Sequence, residues 1–198
     1  MKGILFTESM FNAVIEGRKT QTRRIMNLTH IISRYKVGDV VYLKEPYALN
    51  IQSSKNVAAN KFEYKSKVLY KYVGDTIPEP LFKWQNKRFM PAKYARYFIE
   101  ITGVRCEKLQ DISDEDYLKE GILKTKNYSS DREWGWEEGQ RDYYTPKQAY
   151  AALIDKINGK GTWESNAWVW VYDFKLINKT FDEILEENKD ILKRLKDK

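Results

Sequence analysis

Residues 167–177 read AWVWVYDFKLI. Alternation puts Trp168, Trp170, Tyr172 and Phe174 on one face and Ala167, Val169 and Val171 on the other, because successive side chains of a strand point to opposite sides. A strand apolar on both faces belongs in a core or a closed barrel, so Trp168 and Trp170 read as core residues. Upstream, YFIEITGVRCEKL at 97–109 is rich in β-branched and aromatic residues. It reads as a second long strand, with Gly103 marking a bulge or bend. In YKVGDVVYLKEPYA, residues 35–48, Gly38-Asp39 signals a turn and Val40 to Leu43 a third strand.

Helical signals lie between these strands. After an apolar run from Ile4 to Phe6, Thr7 is placed to cap a helix whose apolar face is Met10, Phe11, Val14 and Ile15, stopped at Gly17. Ile112, Ser113, Asp116 and Tyr117 form a capping box with a hydrophobic staple, opening a short helix that ends at Gly121. Thr145-Pro146-Lys147-Gln148 opens another, burying Ala149, Tyr150, Leu153, Ile154 and Ile157 before Gly159. TFDEILEENKDILKRLKDK, residues 180–198, has a Thr180/Glu183 capping box, acids early and bases late, and one narrow stripe of Ile184, Leu185, Ile191, Leu192 and Leu195. Residues 50–90 are lysine-rich and weakly periodic, with a strand around Lys67 to Tyr72 and a Pro78/Pro80 loop. They read as an elaborated insertion in a domain covering 1–179, followed by the amphipathic helix at 180–198. Helices among several strands without regular βαβ alternation give an α+β class with a mainly antiparallel sheet or small barrel.

The 198-residue chain carries 35 Lys+Arg against 28 Asp+Glu, a net charge of +7. Residues 1–100 hold 18 basic and 8 acidic side chains, whereas 101–198 hold 17 and 20. A cationic half favours a polyanion or phosphate-bearing ligand through counterion release, although a lysine-rich composition alone gives the same balance. With one cysteine, Cys106, and one histidine, His30, the chain lacks the groups for an internal disulfide or a conventional His/Cys zinc site. A Ser-His-Asp triad would depend on His30, in a polar stretch with no turn or strand signal. No metal or other cofactor is expected. No stretch approaches the roughly 20 apolar residues of a membrane span, and no signal-peptide core opens the chain, so a cytoplasmic protein without a membrane partner is expected.

Chemistry concentrates in GRKTQTRR, residues 17–24, between the first helix and the strands that follow. Arg18, Lys19, Arg23 and Arg24, with the hydroxyls of Thr20 and Thr22, would cradle a phosphate or sugar if they converge; otherwise they make a solvated basic turn. Glu45, Tyr47, Tyr94 and Arg96 are candidates to line the same pocket, with a structural Glu45–arginine ion pair as the alternative. Tyr47, Trp84, Tyr94, Trp134, Trp136 and Trp163 have ring faces suited to base stacking. Trp134 and Trp136, however, sit among Asp131, Glu133, Glu137 and Glu138, which repel phosphate.

GRKTQTRR resembles the G-x-K-x-x-x-x-R signature of the ASCH superfamily through Gly17, Lys19 and Arg24. The chain is also similar to a phage-associated branch of that family through YKVGDVVYLKEPYA, MPAKYAR at 90–96, LQDISDEDYLKEGI at 109–122 and NAWVWVYDF at 166–174, in that order. The resemblance spans residues 1–177 and is poor over 50–88 and 124–144. It implies a small PUA-like antiparallel β-barrel flanked by helices. It also implies a ligand that is RNA, a nucleotide or a nucleoside, held in a basic cleft on Arg18, Lys19, Thr20, Arg23 and Arg24.

Some small members of the superfamily are amidohydrolases that deacetylate N4-acetylcytidine with a Lys, a Thr three residues later and a Glu at a helix end. The resemblance maps these onto Lys19, Thr22 and Glu120, although many other ASCH proteins have Glu at the position of Thr22. On that reading Thr22 is the nucleophile, Lys19 its base and Glu120 a proton carrier. The residues alone leave Lys19 open as a phosphate contact and Glu120 as a surface carboxylate. Lys19 and Thr22 are an odd number apart, so the octet must bend for them to meet. Recognition of RNA or a nucleotide in that cleft is the role expected first; deacylation of an N4-acylated cytidine, RNA cleavage, and a phage-encoded protein-interaction module using the terminal helix are the alternatives.

Overall fold

A computed structural model describes residues 1–198 except 27–30, 57–60, 77–82, 125–130, 138–139, 141 and 197–198. His30 and the Pro78/Pro80 loop lie outside the described residues. Nine strands and four α-helices are assigned within that range: β1 (Lys2–Leu5), α1 (Glu8–Ile15), β2 (Gln21–Ile25), β3 (Val40–Lys44), β4 (Tyr47–Asn56), β5 (Lys61–Tyr70), β6 (Phe98–Lys108), α2 (Asp114–Lys119), β7 (Leu123–Lys124), β8 (Trp134–Gly135), α3 (Pro146–Asn158), β9 (Trp168–Ile177) and α4 (Phe181–Lys196).

Five strands form one sheet in the order β1-β3-β6-β9-β2. β1 runs parallel to β3, and the remaining neighbours pair antiparallel. β6, with 11 residues, is the spine, pairing with β3 on one side and β9 on the other. The bend expected at Gly103 is a bulge, where the register against β9 shifts between Ile101 and Gly103. A side chain there would collide, since a Cβ would sit 2.7 Å from Asp173 Oδ2. The β4–β5 hairpin forms a separate two-stranded sheet, longer than the strand read at Lys67 to Tyr72.

Two sequence expectations need correction. The sheet is mainly antiparallel, as expected, with β1 and β3 parallel, but among the described residues it does not close into the expected barrel: β1 and β2 remain edges. The Arg24 guanidinium donates to Leu5 O at 2.7 Å where a ladder would otherwise close the ring, and a groove separates the two edges. The second correction concerns the tryptophans of β9. Val169 and Val171 are fully buried, but Trp168 is 50% exposed with the Lys108 ammonium over its ring, and Trp170 is half-buried, packed against the main core on one side and lining the groove on the other.

The main core packs α1 and α3 onto the sheet through Met10, Phe11, Val14, Tyr150, Leu153 and Ile154, with Ile99, Ile101, Val169 and Val171 from the strands. Thr7 accepts from Met10 N–H, and Thr145 accepts from Gln148 N–H at the start of α3. Ile157, read as part of the α3 core face, is 42% exposed at its end. No helix among the described residues is long and apolar enough to cross a membrane.

α4 begins with a reciprocal capping box. Thr180 Oγ1 accepts from Glu183 N–H, and Glu183 Oε2 accepts from Thr180 N–H at 2.6 Å. Ile184 then buries against Tyr42 and Phe98 in a small second core. Ile184→Ala should lower stability by about 2–4 kcal/mol through cavity formation, while Leu185→Ala, at a 37% exposed neighbour, should stay within about 0.5 kcal/mol. Urea titration of both variants checks this, and equal losses would place the helix contact elsewhere.

Candidate functional site

The basic octet bends where it leaves α1. Lys19 N–H donates to Ala13 O, Thr20 N–H to Lys119 O, and Phe174 N–H to Thr20 O, so the chain is pinned in turn to α1, α2 and β9 before β2 begins at Gln21. Lys19 is therefore not part of the regular strand that carries Thr22. The two side chains reach the same cavity despite their odd spacing.

That cavity has a volume of about 220 Å³ and is walled by Phe6, Lys19, Thr22, Arg24, Glu120 and Tyr150, among others. Lys19 is 3% exposed; its Nζ donates to Glu120 Oε2 at 2.6 Å and to Glu120 O at 2.7 Å. Glu120 caps the C-terminus of α2, and Gly121 follows at φ +94°, a conformation that turns the chain back beside Lys19 and Met10. Burial pushes the Lys19 pKa down, with Glu120 opposing and Arg24 and Arg23 adding to the shift.

Arg23 also borders the cavity, but its guanidinium is bonded within the protein. Its Nε donates to Glu107 at 2.9 Å, Nη1 to Gln21 and to Glu120 Oε1 at 3.2 Å, and Nη2 to Glu107 and to Asp116 Oδ2 at 2.8 Å. All five guanidinium N–H groups are thus used within the protein, which leaves none for a phosphate and corrects its assignment as a phosphate contact. Burial disfavours the Arg23 charge, but Glu120, Asp116 and Glu107 outweigh it and raise its pKa. Asp116 does not return to Ser113 N–H to complete a capping box. Its carboxylate accepts from Arg23, Arg105 and Lys119, and against the cost of burial they hold its pKa below the usual value.

The other sequence candidates divide. Arg24 lines the cavity with its guanidinium over the Phe6 ring, 5.2 Å from the centroid. Arg18 pairs with Glu16 on the surface, and neither Arg18 nor Thr20 lines the cavity. Glu45, 1% exposed, takes three hydrogen bonds from Arg96, which stacks on Tyr70 at 4.1 Å; Tyr47 and Tyr94 pack beside each other at 5.6 Å. None of these four lines the cavity, so Glu45 makes the structural ion pair. Trp136 and Trp163 are buried in the main core, with no ring face open for stacking.

Two wall residues escaped sequence reasoning. Lys87, from the region read as an insertion, donates to Phe6 O and Tyr72 OH. Tyr150 was read only as core, yet its hydroxyl is buried near Glu120 and Arg23 without a hydrogen bond of good geometry. Burial pushes its pKa well up, so it stays a neutral donor. A tyrosine on an otherwise aliphatic helix face was the available signal. No group of three or more His, Cys, Asp or Glu side chains among the described residues is arranged to hold a metal ion. Compared with family models, curated proteins and solved structures, the chain has no match.

Replacing Arg23 by Met strands several buried carboxylates and should cost about 3–5 kcal/mol. The depressed Asp116 pKa means its contribution is present above the usual carboxylate range and is lost as pH falls through the lowered value. Urea midpoints should therefore drop between pH 6 and pH 3, and drop less in Asp116→Asn. Equal acid sensitivity in that variant would remove Asp116 as a cause.

Proposed function

We propose that this chain is an ASCH-type amidohydrolase that removes the acyl group from an N-acylated nucleobase, with N4-acetylcytidine as the model substrate. The observation that carries this reading is the convergence of Lys19 and Thr22, from the 17–24 octet, and Glu120, from the end of α2, on one small cavity, with Lys19 bonded to the Glu120 carboxylate. The cavity volume of about 220 Å³ falls below the roughly 300–1,000 Å³ of sites for drug-sized ligands. That suits a base entering head first better than a polymer lying across a surface. The same reading makes the open sheet a relative of the PUA-like barrel.

The chemistry follows from the charges. A buried lysine loses its proton more readily than an exposed one, and a neutral Lys19 amine can take the Thr22 hydroxyl proton as Oγ1 attacks the amide carbon. The C–N bond then breaks, and the proton passes from Lys19 or Glu120 to the departing exocyclic amine. Water next hydrolyses the acyl-threonine ester, releasing the carboxylic acid and restoring Thr22. Glu120 holds the Lys19 amine in place and shares its proton. The Tyr150 hydroxyl, lacking a well-aligned protein partner, is available to donate to a substrate oxygen. Binding of a nucleotide without turnover is the second reading, favoured by the cations Arg24 and Lys87 on the same walls.

Acetate release from N4-acetylcytidine should fall by orders of magnitude in Lys19→Ala, Thr22→Ala and Glu120→Gln, with binding retained. Tyr150→Phe should lower kcat/KM while leaving the melting temperature near that of the parent. The rate should rise with pH to a midpoint below the usual lysine range. Glu120→Gln should move any residual midpoint lower still, because it removes the charge that favours protonated Lys19. Full activity in Thr22→Ala excludes the mechanism, and no acetate release at any enzyme concentration leaves the binding reading.

A further inference from the structure

The open sheet edges β1 and β2 flank a second cavity, a groove of about 950 Å³ on the tryptophan side of β9. Four cations line it, Arg24, Arg34, Lys44 and Arg88, and no acidic residue among the described residues does. Among the described residues none of the four forms an ion pair. Their hydrogen bonds run to neutral carbonyls: Arg24 to Leu5 O, Arg34 to Gly3 O and Lys44 to Arg88 O. This contrasts with Arg23, one residue before Arg24, whose charge is met by three carboxylates. The groove floor also includes the Trp170 ring.

Positive charge that meets no carboxylate among the described residues calls for an anion. A phosphate ester supplies negative charge and several acceptor oxygens, and arginine and lysine bind it readily. Position narrows the ligand further. Leu5 and Arg24 line both the groove and the small cavity, so the Arg24–Leu5 contact is a wall shared by the two. A ligand with its base in the cavity would carry its ribose substituent past Arg24 toward the groove.

We infer that the groove is a phosphate site, in which Arg34, Lys44 and Arg88 hold a phosphate ester attached to the ribose of the base in the small cavity. The substrate is then a nucleotide unit, not a free nucleoside. This inference rests on the proposed reading of the cavity, and its test separates the two.

Steady-state kinetics and equilibrium titration would compare N4-acetylcytidine, its 5′-monophosphate and a short RNA containing one N4-acetylcytidine. At low salt the 5′-monophosphate should bind at least tenfold more tightly than the nucleoside, and the advantage should shrink as salt rises. It should appear in KM more than in kcat, because the phosphate is remote from the reacting bond. The double variant K44Q/R88Q, and separately R34Q, should lose most of the advantage. The salt series on the unmodified protein reads the same property should a variant fail to fold. An RNA bound tenfold more tightly than the monophosphate assigns the phosphate to a chain, and equal binding assigns it to a mononucleotide; both support the site. Equal affinity for nucleoside and monophosphate at low salt overturns it, even where acetate is released. Phosphate-dependent binding without acetate release keeps the site and removes the hydrolase.

Discussion

The Arg23 guanidinium is the interaction on which the rest of the site depends. It sits on β2, and its five N–H groups reach Gln21 on the same strand, Glu107 on β6, and Asp116 and Glu120 on and just after α2. Taking so many charges out of water is costly, and the arrangement holds only because each group finds partners of good geometry. Arg105 extends it by bonding Glu107, Asp116 and Asp173, and Gln21 closes the other end on Asp173 Oδ1. With Lys19 and Lys119, four cations meet four carboxylates. One oxygen of Glu120 is committed to Arg23, which leaves the other directed at Lys19. The geometry of the cavity is thus inherited from a network behind it.

Features encoded by nearby residues were legible in the sequence. Thr7, Ser113, Thr145 and Thr180 all cap the helices they were read to cap, because a cap is a contact across three residues. The strands over Val40 to Leu43, 97–109 and 167–177, and the bulge at Gly103, came from composition and alternation. The convergence of Lys19, Thr22 and Glu120 was expected from a family resemblance, and spacing alone argued against it.

What sequence did not reveal depends on pairing across long separations. Nothing local in Lys2 to Leu5 says that it will lie parallel to β3, and nothing in AWVWVYDFKLI says whether the sheet around it closes. Trp168 was placed in a core or closed barrel from its strand's apolar faces and lies half in solvent, with the Lys108 ammonium over its ring. The weak periodicity of 50–56 and 61–67 hid a ten-pair hairpin, which is defined by backbone pairing between residues up to 23 apart. Arg23 and Arg24 looked equivalent as adjacent cations, and only the fold reveals which one faces carboxylates.

That difference between neighbours follows from strand geometry. Consecutive residues of β2 point to opposite sides, so one side chain of the Arg23-Arg24 pair must turn toward α2 and β6 while the other turns toward β1. Arg23 meets the acidic cluster and becomes part of the framework. Arg24 meets only the Leu5 carbonyl and the Phe6 ring and keeps its charge uncompensated by any ion pair among the described residues. The same alternation that forbids a regular strand from bringing Lys19 and Thr22 together therefore separates, within two residues, a charge met by carboxylates from one that meets none among the described residues. The bend at Thr20, pinned by its bonds to Lys119 and Phe174, lets Lys19 escape that rule and join Thr22 at the cavity.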